Sequence, residues 1–251
     1  MYDPPSYLWA ITIAGIVAIP AATCVVLYGG AVRASLGRRR AALLAGGAAV
    51  VLGGWFTASA VIAGHGWYHT RLGHGVPWLP VAVVGFLGLL LALRRTPVVA
   101  RALTAPGTVN RLEIPHAFRV VEGAAFLLMM ALGHLPALFA LPAGLGDIAA
   151  GIAAPLVAFR LAQGTGRHAA LWFNAFGMTD LISALTLGAL TAYHLINVTP
   201  SGAPISELPL ALIPTAAVPL LFALHITSVS ALVRAPRTPL PATAPLAAAA
   251  K

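Results

Sequence analysis

Four charged residues stand inside long apolar stretches of this chain: Arg119, Glu122, Asp147 and Asp180. His225, in LLFALHITS, joins them as a titratable group, and Asn174 adds a polar amide. A charge inside a membrane-spanning helix costs about 2.5–3.5 kcal/mol on insertion scales, so such residues are functional candidates by default. Their chemistry is that of ion or proton handling. Three carboxylates face one guanidinium, which requires at least one of them to hold a proton or a cation. Plainer readings compete. Arg119 and Glu122 are three residues apart and can neutralise each other along a helix. Asp147 follows LPAGLG and suits the start of a helix, where the dipole favours an anion. His225 reads equally as a neutral packing residue. Asp180 lies among Leu, Ile, Ala and Met with no basic partner in its own segment, and is the central candidate.

A second group is GHGWYHTRLGHG, which carries His65, His69 and His74. His65 and His69 are four apart, so they can share a zinc or copper ion if helix continues through them. No Cys or acid accompanies them, and the glycines favour a solvated loop with Trp67, Tyr68 and Trp78 as an interfacial belt. A bis-histidine haem could use His116 with His225 on one side of the membrane, or His65 with His134 on the other. Neither pair has an attachment motif. Retinal needs a lysine inside the membrane, and Lys251 is the only lysine. No phosphate loop, dinucleotide fingerprint, nucleophile elbow or HExxH appears. No cofactor is expected on the leading reading, with metal or haem the alternative.

The elements that must position these groups are membrane helices. Of 251 residues, 59% are hydrophobic and 8% charged, and mean hydropathy is +0.90. A soluble globule carries roughly a quarter charged residues, because its surface faces water. The apolar runs do not alternate as barrel strands do. About 20 residues of helix cross a bilayer core, and seven stretches qualify: 8–28, 41–64, 76–93, 116–135, 138–159, 169–192 and 208–233. The first has no basic residues before it and no cleavage site after it, so it reads as a retained helix. The expected fold is all-α, a seven-helix membrane domain over 1–234. It divides into a three-span half (1–95), a cytoplasmic connector (96–115) and a four-span half (116–234). A Pro/Ala-rich tail (235–251) is expected to be disordered.

The net charge of +9 does not indicate nucleic acid, since the basic residues fall in short groups between apolar segments. Arg33, Arg38, Arg39 and Arg40 follow the first span, and Arg94, Arg95, Arg101 and Arg111 the third. Arg160 and Arg167 follow the fifth, and Arg234, Arg237 and Lys251 the seventh; Arg71 alone lies opposite. The positive-inside rule places the amino terminus outside and the carboxyl terminus inside, in the inner membrane of a bacterium. Cys24, the sole cysteine, allows no intrachain disulfide. On this topology Glu122 lies roughly 9 Å from the cytoplasmic boundary, in a layer with Arg119, Asn174 and His225. Asp180 lies near the midplane and Asp147 in the outer half. The group reads as a polar track from Asp147 through Asp180 to Glu122 and His225. The LPAGLG segment, with Pro136, Pro142, Gly144 and Gly146, reads as a sharp hairpin between the fourth and fifth spans, with a short re-entrant element lining a cavity as the alternative.

Three segments of the carboxyl half, FRVVEGAAFLLMMALGHLPALFALPAGLGDIAAGIAAPLVA (118–158), WFNAFGMTDLISA (172–184) and LPLALIPTAAVPLLFALH (208–225), resemble a group of bacterial multi-pass membrane proteins. The most specific piece is GHLPALFALPAGLGD. The resemblance implies the membrane class and directs attention to Arg119, Asp147, Asn174, Asp180 and His225; it implies no activity. The leading functional expectation is a permease for a small solute or ion, with proton coupling, in which Asp180 is the central group. The alternatives are a His-ligated metal or haem protein, and a non-catalytic subunit whose polar residues hold a protein partner or a second copy.

Overall fold

The computed structural model describes residues 5–69 and 76–234. His74, Arg71 and the tail from residue 235 lie outside the described residues. Among the described residues every regular element is helical. The long helices are α1 (Ser6–Arg33), α2 (Arg38–Gly64), α3 (Trp78–Leu93), α6 (Arg119–Ala131), α7 (Ala137–Ala162), α8 (Arg167–Ala192) and α9 (Val218–Arg234). The short helices α4 (Pro97–Thr104) and α5 (Val109–Leu112) lie between α3 and α6. Six helices are long and apolar enough to cross a membrane, or up to seven if the bent α3–α4 pair is one span. The chain is thus a helical membrane protein. Large apolar side chains such as Val25 (71% exposed) and Val50 (74%) point outward, as lipid-facing residues do. The centre is the Ile213–Arg234 segment that ends in α9, which is mostly buried, whereas α2 is mostly exposed.

Two expectations are corrected. The 96–115 connector is itself helical, and its second part belongs to the bundle. Pro97 occupies the first turn of α4, where its missing N–H is no loss. The helix α4 turns 82° from α3, and the chain then reverses at Gly107, whose φ of +68° suits glycine. It re-enters as α5 and a 3₁₀ segment (Ile114–Phe118) that lead into α6, so the span runs from Val109 to Ala131. The second correction is the LPAGLG hairpin. Pro142, Gly144 and Gly146 lie inside α7. The reversal comes earlier, at Gly133 (φ +76°), with Pro136 at the N-cap of α7.

Helices in lipid are held by close packing rather than by water exclusion, so small residues mark the tightest contacts. At the α6–α7 crossing, a Cβ on Gly144 would lie 2.8 Å from Leu127 and 3.0 Å from the Gly123 carbonyl oxygen. Only glycine lets the backbones meet there. Before α9, Ile213–Ala217 forms a π-helical turn. Pro219 offers no N–H to the Thr215 carbonyl four residues earlier; the Trp55 indole N–H donates to that carbonyl instead, at 2.9 Å. Trp55 also stacks on Phe86 at 4.7 Å, joining α2, α3 and the α9 entry.

The two ends of the bundle differ. At one end Arg33 donates to Thr108 (3.1 Å), Arg101 to the Ala34 carbonyl (3.4 Å) and Arg94 to Thr227 of α9 (3.4 Å). At the other, Trp67 lies against Trp78 (6.5 Å between rings), and His69 reaches Ser206 (3.4 Å) and Glu207 (3.9 Å). The bundle thus has an arginine end and an aromatic end.

Candidate functional site

The site is built on Arg119. Its guanidinium is wholly buried, and it is bonded to acids from two other helices. Nε donates to Asp147 Oδ1 of α7 at 2.7 Å, and Nη2 donates to Asp180 Oδ2 of α8. Glycines make room for this: a Cβ on Gly146 would collide with the Asp180 carboxylate. The depth assigned from sequence separated Arg119 from Asp147, and that is corrected. With the span starting at Val109, Arg119 is ten residues in, and Asp147 is ten residues from the opposite start at Ala137. At 1.5 Å per residue both lie roughly 15 Å from the ends of their helical segments, and their bond puts the two side chains at one level of the bundle. Arg119 is therefore the partner that Asp180 lacks in its own helix, and Asp147 lies in mid-helix rather than capping one.

Glu122 is buried on the same helix, and its Oε1 makes no hydrogen bond. It packs where α1 passes, since a Cβ on Gly15 would touch its Cγ at 3.4 Å. Above it, toward the aromatic end, opens a cavity of about 840 Å³. Its lining runs from Tyr68, His69, Tyr193 and His194 at the aromatic end, past apolar side chains including Phe126 and Phe139, to Glu122 and Asp147 at its buried base. Burial pushes the Tyr68 phenol above its usual range, against the pull of its contacts with Ser59 and Thr215. The Ser59 hydroxyl lies 3.0 Å from Tyr68 Oη and 2.6 Å from Thr215 Oγ1, so the tyrosine is fixed in place.

Toward the arginine end lies a second buried group. The His225 Nδ1–H donates to Asn174 Oδ1 at 2.8 Å, and Asn174 Nδ2 donates to Glu113 Oε1 at 3.0 Å. Ser228 also donates to Glu113 Oε1. The His116 ring stacks on His225 with centroids 3.9 Å apart, too close for a porphyrin to lie between them. Phe173 and His116 form a T-shaped pair with ring centroids 5.7 Å apart. Sequence reasoning missed Glu113, which fell in the connector and looked like an ordinary loop acid. The available signal was its spacing of three from His116, which puts both on one helical face.

The candidates thus separate into two groups. Arg119, Asp147 and Asp180 are joined directly, with Glu122 beside them; Asn174 and His225 belong to the Glu113 group. The outer histidines are not brought together among the described residues. His65 Nδ1 bonds the Val61 carbonyl of its own helix at 2.8 Å, while His69 turns to Ser206 and Glu207.

No curated protein and no solved structure matches the chain. A family model described as a domain of unknown function (DUF8737) matches residues 76–233, from just before α3 to the end of α9. It covers more than half of the chain and includes every charged member of both buried groups. The chain therefore belongs to the DUF8737 family.

Proposed function

We propose that the protein is a seven-span permease of the bacterial inner membrane that carries small lipophilic cations, with proton coupling through Glu122. The observation that carries this reading is the cavity of about 840 Å³ whose walls are apolar and whose base holds Glu122 and Asp147. Ligand sites of this kind use an apolar lining for affinity and a few polar groups for orientation. Three carboxyl groups, Glu122, Asp147 and Asp180, meet one guanidinium, Arg119, so the base lacks positive charge. A cation or a proton supplies it. Glu122 takes the role that Asp180 held in the sequence reading, because Asp180 is bonded to Arg119 whereas Glu122 lines the cavity and its buried Oε1 makes no hydrogen bond.

The seven-span topology, amino terminus outside, is supported by the bundle ends. Arg33, Arg94 and Arg101 gather at one end and the Trp67–Trp78 pair at the other. Only if α3 crosses do all the basic loops share the cytoplasmic side. The cavity then opens outward.

The test is uptake of tetraphenylphosphonium by proteoliposomes under an imposed pH gradient, alongside binding in detergent. Wild type is expected to bind and accumulate the cation. Glu122→Gln is expected to lose accumulation, and Ala189→Phe, at the cavity wall, to lose binding. Folded wild-type protein that binds neither this cation nor a lipophilic amine would refute the reading.

A further inference from the structure

We infer that Glu113, His116 and His225 form a binding site for a divalent transition-metal ion, best matched by zinc, buried between the α5–α6 segment and α9. Each residue offers one ligand atom, and the three atoms lie within 4.8 Å of one another. Among the described residues no other group of His, Cys, Asp or Glu does so. All three side chains are fully buried. Each also has an atom without a hydrogen bond: Glu113 Oε2, His225 Nε2, and both ring nitrogens of His116. Buried polar atoms without partners are costly, and a cluster of three potential ligands that each carry one marks a place where a ligand belongs.

The surrounding bonds prepare the site. Asn174 accepts from His225 Nδ1–H, which fixes the tautomer and leaves the lone pair on Nε2. Asn174 and Ser228 both donate to Glu113 Oε1, which orients the carboxylate and leaves Oε2 open. Partners that fix the tautomer of a histidine and the rotamer of a carboxylate are what metal ligands have behind them. Two imidazoles and a carboxylate suit zinc, with a fourth position open. Zinc bonds of about 2.0–2.2 Å require the ligands to close by roughly 1 Å, and the stacked imidazoles to tilt apart. Charge also favours a cation here. Glu113, Glu122, Asp147 and Asp180 stand in this interior against Arg119 alone, and a divalent ion offsets most of the excess. Such an ion would clamp the α5–α6 segment to α9 below the Arg119 network.

The test uses the full-length protein in mild detergent, stripped with chelator and titrated with zinc by calorimetry, with metal content measured by mass spectrometry. A His65→Ala/His69→Ala/His74→Ala variant is expected to retain one equivalent, which separates this site from the outer loop. Glu113→Gln and His225→Gln are each expected to weaken binding by more than about 100-fold, and Asn174→Leu by about 10–100-fold. His225→Cys in a Cys24→Ser background keeps a ligand at the site and guards against misfolding. With cobalt in place of zinc it is expected to show a thiolate charge-transfer band. Absence of zinc uptake by folded wild type, wild-type affinity in a Glu113→Gln/His225→Gln variant, or no thiolate band in folded His225→Cys protein overturns the inference.

Discussion

Arg119→Met removes the one guanidinium that serves both Asp147 and Asp180. Arg119 is 0% exposed, with its Nε 2.7 Å from Asp147 and a second bond to Asp180. Removing one member of a buried ion pair costs about 3–5 kcal/mol, because the remaining charge is left without compensation. The two bonds share a single cation, so their losses overlap, and the expected total stays near about 3–5 kcal/mol rather than doubling. Methionine fills most of the vacated volume, so the loss reports charge more than packing. The assay is reversible unfolding in mixed micelles followed by tryptophan fluorescence, with Asp147→Asn/Asp180→Asn added to complete the comparison. The triple variant, with no charge left among these three residues, is expected to recover at least half of the loss. A cost below about 1 kcal/mol for Arg119→Met, the level of an exposed ion pair, would show that the network is not holding the helices. A triple variant no more stable than Arg119→Met would show that packing, not charge, explains the defect.

Gly146→Ala places a Cβ on the Asp180 carboxylate and is expected to cost about 1–3 kcal/mol by overpacking in the same unfolding assay. Gly53→Ala is its control, with no atom within 4 Å of the added carbon, and should leave stability unchanged or slightly raised. Trp55→Phe keeps the stack on Phe86 but removes the donor to the Thr215 carbonyl. It is expected to cost about 1–3 kcal/mol and to speed hydrogen exchange in the turn before α9. Single cysteines on a Cys24→Ser background test the topology with a membrane-impermeant maleimide. Substitution at His65 should be labelled from outside, and substitution at Arg38 or Arg101 only after the membrane is opened; the reverse pattern would invert the proposed orientation.

The class of protein and the approximate positions of its helices were legible in the sequence. Lipid-facing surface must be apolar over a bilayer's thickness, and that demand is written in local composition. Runs such as 41–64 and 169–192 therefore reappear as α2 and α8 within a few residues. The sequence also singled out Arg119, Asp147 and Asp180, because a charge in such a run is conspicuous wherever its partner lies. What it misread were features whose meaning depends on a neighbour. Proline and glycine in LPAGLG look like a turn, but in α7 these glycines accommodate α6 and the Asp180 carboxylate. Glu113 looks like a loop acid until α8 and α9 bring Asn174, Ser228 and His225 to it. The pairing of Arg119 with acids 28 and 61 residues away, the cavity above Glu122 and the His116–His225 contact are relations between helices. They come from helix packing, which sets which side chains meet, whereas spacing along a single helix carries no record of the face across from it.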